Sequence, residues 1–364
     1  MTVLVHDYLL VMRGAERSFA AICDLYPSAP VATLLYDPRV FGERLAGHPV
    51  STSRYQTFGA RQQTFKALLP LLPSAAERLP VAGHDLVLSS SSAFAHGVRP
   101  DPGAVHVCYC HTPFRYAWYA QEVGVAQVPR LARPAVRRTL NRIRAWDRAV
   151  AQRDTHYVAN SCLSQERIYR YWGREAPVVH PPVEVDRFAP GQPEDFFLVV
   201  SELVRHKQIE VALEAARRAR MPIKVVGGGA DESRLRAAYG GHAEFLGRLD
   251  DDALAALYTR ARALVVPNLE EFGIAAVEAQ ASGRPVIAAD GGGARETVVD
   301  GETGRFFPPG DIAALVDAMR DPLLDSIDPT RTVANAQRFS VEAFHQGLSC
   351  QIATAKARIA GNGD

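Results

Sequence analysis

Two series of short apolar runs alternate with amphipathic stretches along this chain, and a proline-rich segment divides them. The first series takes in residues 3–6, 31–36, 85–90, 104–110 and 155–159, with helical patterns such as 16–25 and 135–152 between them. The second takes in 196–201, 223–226, 243–246, 263–266 and 285–288, again with helical patterns between. Apolar strands alternating with amphipathic helices predict an α/β protein whose parallel sheets are covered on both faces. The segment 180–194 carries four prolines, which disfavour a helix and suit a connection between domains. The expected division is a first domain over 1–183, a linker over 184–194, a second domain over 195–335 and a terminal helical segment over 336–364. After Asp325 the pattern is irregular and then helical over 341–359, with fraying expected at 360–364.

A chain of 364 residues is long enough for two cores. Lys plus Arg (41) almost balances Asp plus Glu (40), so no global field points to nucleic acid. The sequence enters a strand directly without a signal-like stretch, and no apolar run approaches the roughly 20 residues that span a bilayer. The five cysteines are an odd number at irregular spacing. Cys108 and Cys110 share one strand face with no matching Cys/His pair, which predicts reduced thiols and no metal site. A cytoplasmic protein is expected.

The densest chemistry lies in the second half. Glu270 and Glu278 flank a Phe272-Gly273 turn that opens a helix, and a Gly-Arg-Pro turn leads from that helix into the next apolar strand. Amides at a helix N-terminus, here Phe272, Gly273 and Ile274, attract phosphate. A carboxylate ahead of the helix can face a hydroxyl-rich group beside that phosphate, and one inside the helix can accept from a ribose. Two glutamates at this spacing also occur on ordinary helix surfaces. Their position between two buried strands favours a site, because open α/β sheets bind ligands at the C-terminal strand edge. Gly291-Gly-Gly adds an amide-rich turn on that edge. Lys207 follows the first strand of the same domain, where it can clamp a diphosphate with those amides; its bland alternative is a solvated lysine. Gly227–Gly229 is too weak for a nicotinamide fingerprint, since the sixth position is Glu232, and it reads equally as a tight turn.

In the first half, His111 ends a strand and Pro113 stands where it can open a helix. Arg115, Tyr116, Trp118 and Tyr119 follow; the aromatic rings either stack on sugar or belong to the core. Arg13 and Gly14 lie in the loop after the first strand. Between 130 and 153 the chain is rich in arginine: either a cationic face for anionic lipid or a solvated helix packed on the sheet.

The stretch from Glu270 to Glu278 resembles the E-x7-E signature of retaining GT-B glycosyltransferases of family 4, and the string His111-Thr-Pro-Phe-Arg115-Tyr116 resembles the subgroup typified by O-antigen mannosyltransferases. The resemblance implies a GT-B fold: two doubly wound Rossmann-like domains facing a cleft, with a C-terminal helix crossing back to the first. It implies a retaining, metal-independent transfer from a nucleotide diphosphate sugar, with no cofactor. Glu270 would contact the donor sugar, Glu278 the ribose, Lys207 with Arg205 the diphosphate, the backbone near Leu249 the base, and His111 the sugar near its reacting end. Gly14 sits in a loop resembling the family's Gly-Gly-Ala-Glu, with Arg13 replacing its first glycine. The usual Gly-Arg-Leu after the first strand of the second domain is Ser201-Glu202-Leu203 here, so the place of the family's arginine is either vacant or taken by Arg205. Arg13, Arg115 and Tyr116 fall on the acceptor side. The expected donor is GDP-mannose, with a UDP-hexose as the alternative. The acceptor is expected to be a lipid-linked or cell-surface glycan, reached at the inner membrane face. A GT-B nucleotide-sugar epimerase and a non-catalytic sugar-nucleotide binder are the remaining alternatives.

Overall fold

The structure, a computed structural model, describes residues 1–59 and 61–361, with the backbone alone for 62–64. The chain separates into two compact units: Met1–Pro181 with Phe344–Asp364, and Pro182–Ala343.

The sheet of unit 1 contains β1 (Thr2–His6), β2 (Val31–Thr33), β3 (Val50–Thr52), β4 (Leu86–Ser91), β5 (Val105–Cys110) and β6 (His156–Ala159). All pairings are parallel, in the order β3-β2-β1-β4-β5-β6. Every residue of β4 and β5 is buried, as expected of central strands with helices on both faces. The sheet of unit 2 contains β7 (Phe197–Val200), β8 (Ile223–Val226), β9 (Ala243–Gly247), β10 (Ala263–Val266), β11 (Val286–Ala289) and β12 (Gly304–Phe307), also parallel. Its order, β12-β11-β10-β7-β8-β9, repeats that of unit 1. Each sheet therefore reverses direction between its first and fourth strands, β1 and β4 or β7 and β10. At such a switch point the two loops diverge and leave a crevice at the C-terminal strand ends.

The differences from the sequence expectation have local causes. β3 was not anticipated; Val-Ser-Thr is too short and too polar to stand out, and it forms by pairing with β2. The run 31–36 leaves the sheet after Thr33, because Leu34 N–H and Leu35 C=O bond the loop after β1, at Asp7 and Leu9. The irregular stretch after Asp325 contains a helix, Pro329–Gln337. Asp328 caps it by accepting the Thr330 N–H at 2.8 Å, Pro329 occupies a permissive first position, and the helix packs on Ile274–Ala281.

The proline-rich segment is packed rather than loose. Val183 and Val185 are buried with Phe272 and Phe339 of unit 2, and the Val183 N–H donates to Phe339 C=O at 2.8 Å. The terminal helix Val341–Gly361 crosses back: from Phe344 onward it clusters with unit 1. Phe344, Leu348, Ile352 and Ala355 form its buried stripe, and Phe344 meets Tyr109 edge-on at 5.3 Å. Of the segment expected to fray, Ala360 and Gly361 are helical, and 362–364 lie outside the described residues.

Candidate functional site

The switch point of unit 2 brings its candidate residues together. β7 runs into a loop that ends in the short 3-10 turn Arg205–Lys207, and β10 runs into the loop carrying Asn268 and Glu270. Lys207 Nζ lies 2.7 Å from each carboxylate oxygen of Glu270, a contact that is not visible in the sequence pattern. Asn268, buried, donates its Nδ2–H to Glu270 Oε1 at 3.1 Å. The side chains of Lys207 and Glu270 are 22% and 24% exposed, so the pair is fixed yet open to a ligand.

Glycines allow these loops to lie so close. A Cβ on Gly227 would sit 1.9 Å from Ser201 C=O, and one on Gly229 would sit 2.3 Å from Leu203 C=O. The 227–229 turn thus buttresses the lysine loop. Gly292 and Gly293 do the same for the other loop, where added Cβ atoms would come within 2.3 Å of Glu270 C=O and 2.2 Å of Phe272 Cα.

Directly after Glu270, Phe272 turns inward against Val277, Ala281 and Phe339, and Gly273 takes φ +95° to start helix Ile274–Ala281. The chain enters that helix with its first amides at the sheet edge, a cradle for anionic oxygen. Glu278 sits on the same helix, nearly buried, and accepts a 2.9 Å hydrogen bond from the Tyr258 hydroxyl. Leu249 follows β9, half-buried against the core that includes Tyr258 and Leu257. Arg205 is exposed, and its charge adds to that of Arg234 in holding Asp231 below its ordinary range.

In unit 1 the switch point is built around Asp7, which follows β1. Its carboxylate accepts the backbone N–H groups of Ser92, Phe94 and Ala95 at 2.5–2.7 Å, pinning the loop after β4. Gly14 opens helix Gly14–Leu25, and the exposed Arg13 precedes it, its N–H donating to Glu16 Oε2 at 3.1 Å. His111, just beyond β5, is buried, with Nε2 2.9 Å from Ser90 Oγ. Burial drives its pKa down to about 3, so the imidazole is neutral.

No helix opens at Pro113. Residues 111–120 form successive turns, and the helix begins only at Gln121. Tertiary anchors override the proline signal: Phe114 is buried, Arg144 donates to Ala117 C=O, and the Trp118 indole N–H donates to the buried Asp147 at 2.7 Å. Trp118 and Tyr171 stack at 4.7 Å, with Arg144 over the Trp118 ring, so Trp118 is a packing residue. Arg115 lies 5.0 Å over the half-buried Tyr116 ring.

Among the described residues no group of three His, Cys, Asp or Glu side chains could hold a metal ion, and no helix is long and apolar enough to cross a membrane. All five cysteines are thiols, with Cys108 pushed up to about 12 by burial.

Residues 184–339 match the family model of glycosyl transferases group 1. Unit 2 carries this match over nearly all its length. A phosphatidyl-myo-inositol mannosyltransferase of Mycobacterium leprae is 44% identical over 115 residues, 30% of this chain and 30% of that protein. The O-antigen chain mannosyltransferase C of Escherichia coli is 33% identical over 159 residues, 42% of this chain and 43% of that protein. The chain thus matches less than half the length of these two relatives. The crystal structure of Anabaena HepE in complex with UDP has a TM-score of 0.69 to this chain at 16% identity, covering 97% of this chain and 100% of that one. This likeness shows the fold alone: an α/β chain with two parallel six-stranded sheets, of the GT-B class.

Sequence reasoning missed Asn268, Tyr258 and Asp7. Asp7 and Asn268 each follow a strand end closely, and that position was the available signal; Tyr258 reads only as one more aromatic in an amphipathic helix.

Proposed function

We propose that the protein is a retaining glycosyltransferase that moves mannose from GDP-mannose to a hydroxyl of a lipid-linked or cell-surface glycan. The observation that carries the reading is the Lys207–Glu270 pair at the switch point of unit 2, beside the amides of Phe272, Gly273 and Ile274. An ammonium has three N–H groups and a carboxylate about four acceptor directions, so the pair keeps capacity for a ligand. The lysine faces a phosphate oxygen while the carboxylate accepts from sugar hydroxyls. As the sugar–phosphate bond breaks, Lys207, Arg205 and the helix amides take up the charge of the departing diphosphate. Glu278, oriented by Tyr258, receives the ribose hydroxyls, and the backbone near Leu249 borders the base. His111 serves the sugar near its reacting end, Gly14 approaches the donor, and Arg13, Arg115 and Tyr116 serve the acceptor side. No metal is assigned a role, in line with the family resemblance.

Mannose as the sugar is supported by the two mannosyltransferase relatives. A UDP-hexose is the second reading, supported by the UDP in the HepE complex. For the acceptor we favour the inner membrane surface, which the protein would approach from the cytoplasm. In helix Arg133–Val150, Leu140, Ile143 and Val150 point inward while Arg137, Arg138, Arg142 and Arg148 are exposed, an outward charge that suits anionic lipid.

Turnover of GDP-, UDP-, ADP- and TDP-sugars by the full chain, with EDTA present, tests the reading. GDP-mannose consumption with retention at the anomeric carbon is the expected result. Consumption of a UDP-hexose alone selects the second reading, and turnover of none of them ends both.

A further inference from the structure

Four polar side chains from separate elements form one buried chain at the C-terminal edge of unit 1. Glu16 lies in the first turn of helix Gly14–Leu25, His6 ends β1, Ser90 lies near the end of β4, and His111 follows β5. Glu16 Oε1 is 3.9 Å from His6 Nε2. Ser90 Oγ is 3.1 Å from His6 Nδ1 and 2.9 Å from His111 Nε2. None of the four exceeds 6% exposure, so bulk water does not compete for these contacts.

A hydroxyl carries one hydrogen. Placed between two imidazole nitrogens, Ser90 donates to one and accepts from the other. Geometry alone leaves the direction open, and Glu16 decides it. Its carboxylate is fixed by accepting the Arg13 N–H at 3.1 Å through its other oxygen, so it stays opposite His6 Nε2. Negative charge there favours a proton on Nε2 of His6, leaving Nδ1 as a lone pair. Ser90 must then donate to His6, and its oxygen accepts from His111 Nε2–H.

We propose that Glu16, His6 and Ser90 are positioning residues that hold His111 as the neutral Nε2–H tautomer, with its Nδ1 lone pair as the acceptor left for a ligand hydroxyl. The rings are held in place as well: His6 stacks on Phe19 at 4.7 Å, and His111 meets Tyr109 edge-on at 5.2 Å. The burial that keeps His111 neutral is a precondition for such tautomer control. The use of that lone pair for a sugar hydroxyl rests on the proposed function; the tautomer itself does not.

The test is nitrogen-15 NMR of the full chain labelled at histidine, with His111 assigned by loss of its signals in His111→Asn. In the wild type His111 is expected with Nε2 protonated and Nδ1 bare. Glu16→Gln preserves the helix-start hydrogen bond, since Gln serves in that position as Glu does. It removes the charge that sets the direction, so the Nδ1–H tautomer of His111 should rise several-fold. Ser90→Ala removes the bridge and should mix the tautomers independently. Both variants should lower kcat about tenfold or more while donor KM moves little, because ground-state binding by unit 2 is untouched. A wild-type His111 protonated on Nδ1, or a tautomer that neither variant changes, overturns the proposal even if sugar nucleotides are turned over. If the tautomer responds as described and no sugar nucleotide is consumed, the positioning chain stands and the functional reading fails.

Discussion

Lys207 and Glu270 are each about a quarter exposed, and an ion pair in that setting contributes only about 0–1 kcal/mol to folding. Its contribution to stability is small, and in the proposed reading its role is to hold an anionic ligand. Lys207→Ala should therefore shift unfolding free energy by less than about 1 kcal/mol while lowering sugar transfer by about 10²–10³-fold. Urea unfolding beside turnover checks both halves. The buried histidines give a pH prediction. His106, held by Ser89 and Thr155, and His111 are both depressed to about 3 by burial. The unfolded chain binds these protons at the ordinary histidine pKa of about 6.5, so between about pH 6.5 and 3 it holds more protons than the folded one. Stability is full above that window and falls on acidification, by up to about 1.4 kcal/mol per pH unit for each imidazole. His106→Asn should show a shallower fall in urea midpoint between about pH 6.5 and pH 4.5 than the wild type. At this scale the places of Lys207, Glu270, Glu278 and His111 at strand ends and on a helix were legible, because those ends and starts are visible in the pattern. Their partners were not: Tyr258 reaches Glu278, and Ser90 reaches His111, only through the register of packed elements.

Elements set how close the two loops of unit 2 can come. Gly227 has φ +131° and no room for a side chain, with Ser201 C=O at 1.9 Å from a built Cβ. Gly227→Ala should cost about 1–3 kcal/mol in strain and displace the Lys207 loop, so that nucleotide binding weakens even in the fraction that folds. Gly273 at φ +95° meets only ordinary van der Waals neighbours, so Gly273→Ala tests backbone strain at the helix start by itself. The glycine clusters were visible in the sequence, but whether they cradle a ligand or each other was not. Long apolar strands such as β4 and β5 were legible from composition. β3 was not, because a three-residue strand owes its existence to its neighbour. The turns at 111–120 were misread because Asp147 and Arg144 lie far along the chain from the segment they hold.

For the molecule as a whole, the same strand order occurs twice, and each copy places its loops at its own switch point. The chain closes by returning helix Val341–Gly361 to unit 1, where Phe344 is 2% exposed against Tyr109. Phe344→Ala should destabilise unit 1 by about 3–5 kcal/mol, seen as a lowered first transition in calorimetry. The double series of strands and the tail helix were the most legible features of all, since both follow from periodicity. The packing of Val183 and Val185 into unit 2 was hidden by the prolines around them.

In the proposed function, unit 2 holds a nucleotide diphosphate sugar between the Lys207–Glu270 pair and Glu278. Isothermal titration of GDP-mannose and UDP-glucose into wild type, Lys207→Ala and Glu278→Ala tests it most directly. The wild type should bind GDP-mannose, and each substitution should weaken binding by about tenfold or more, the loss of one charged hydrogen-bonding partner. Wild-type affinity retained in both variants, or no binding of either nucleotide sugar by the wild type, would contradict it.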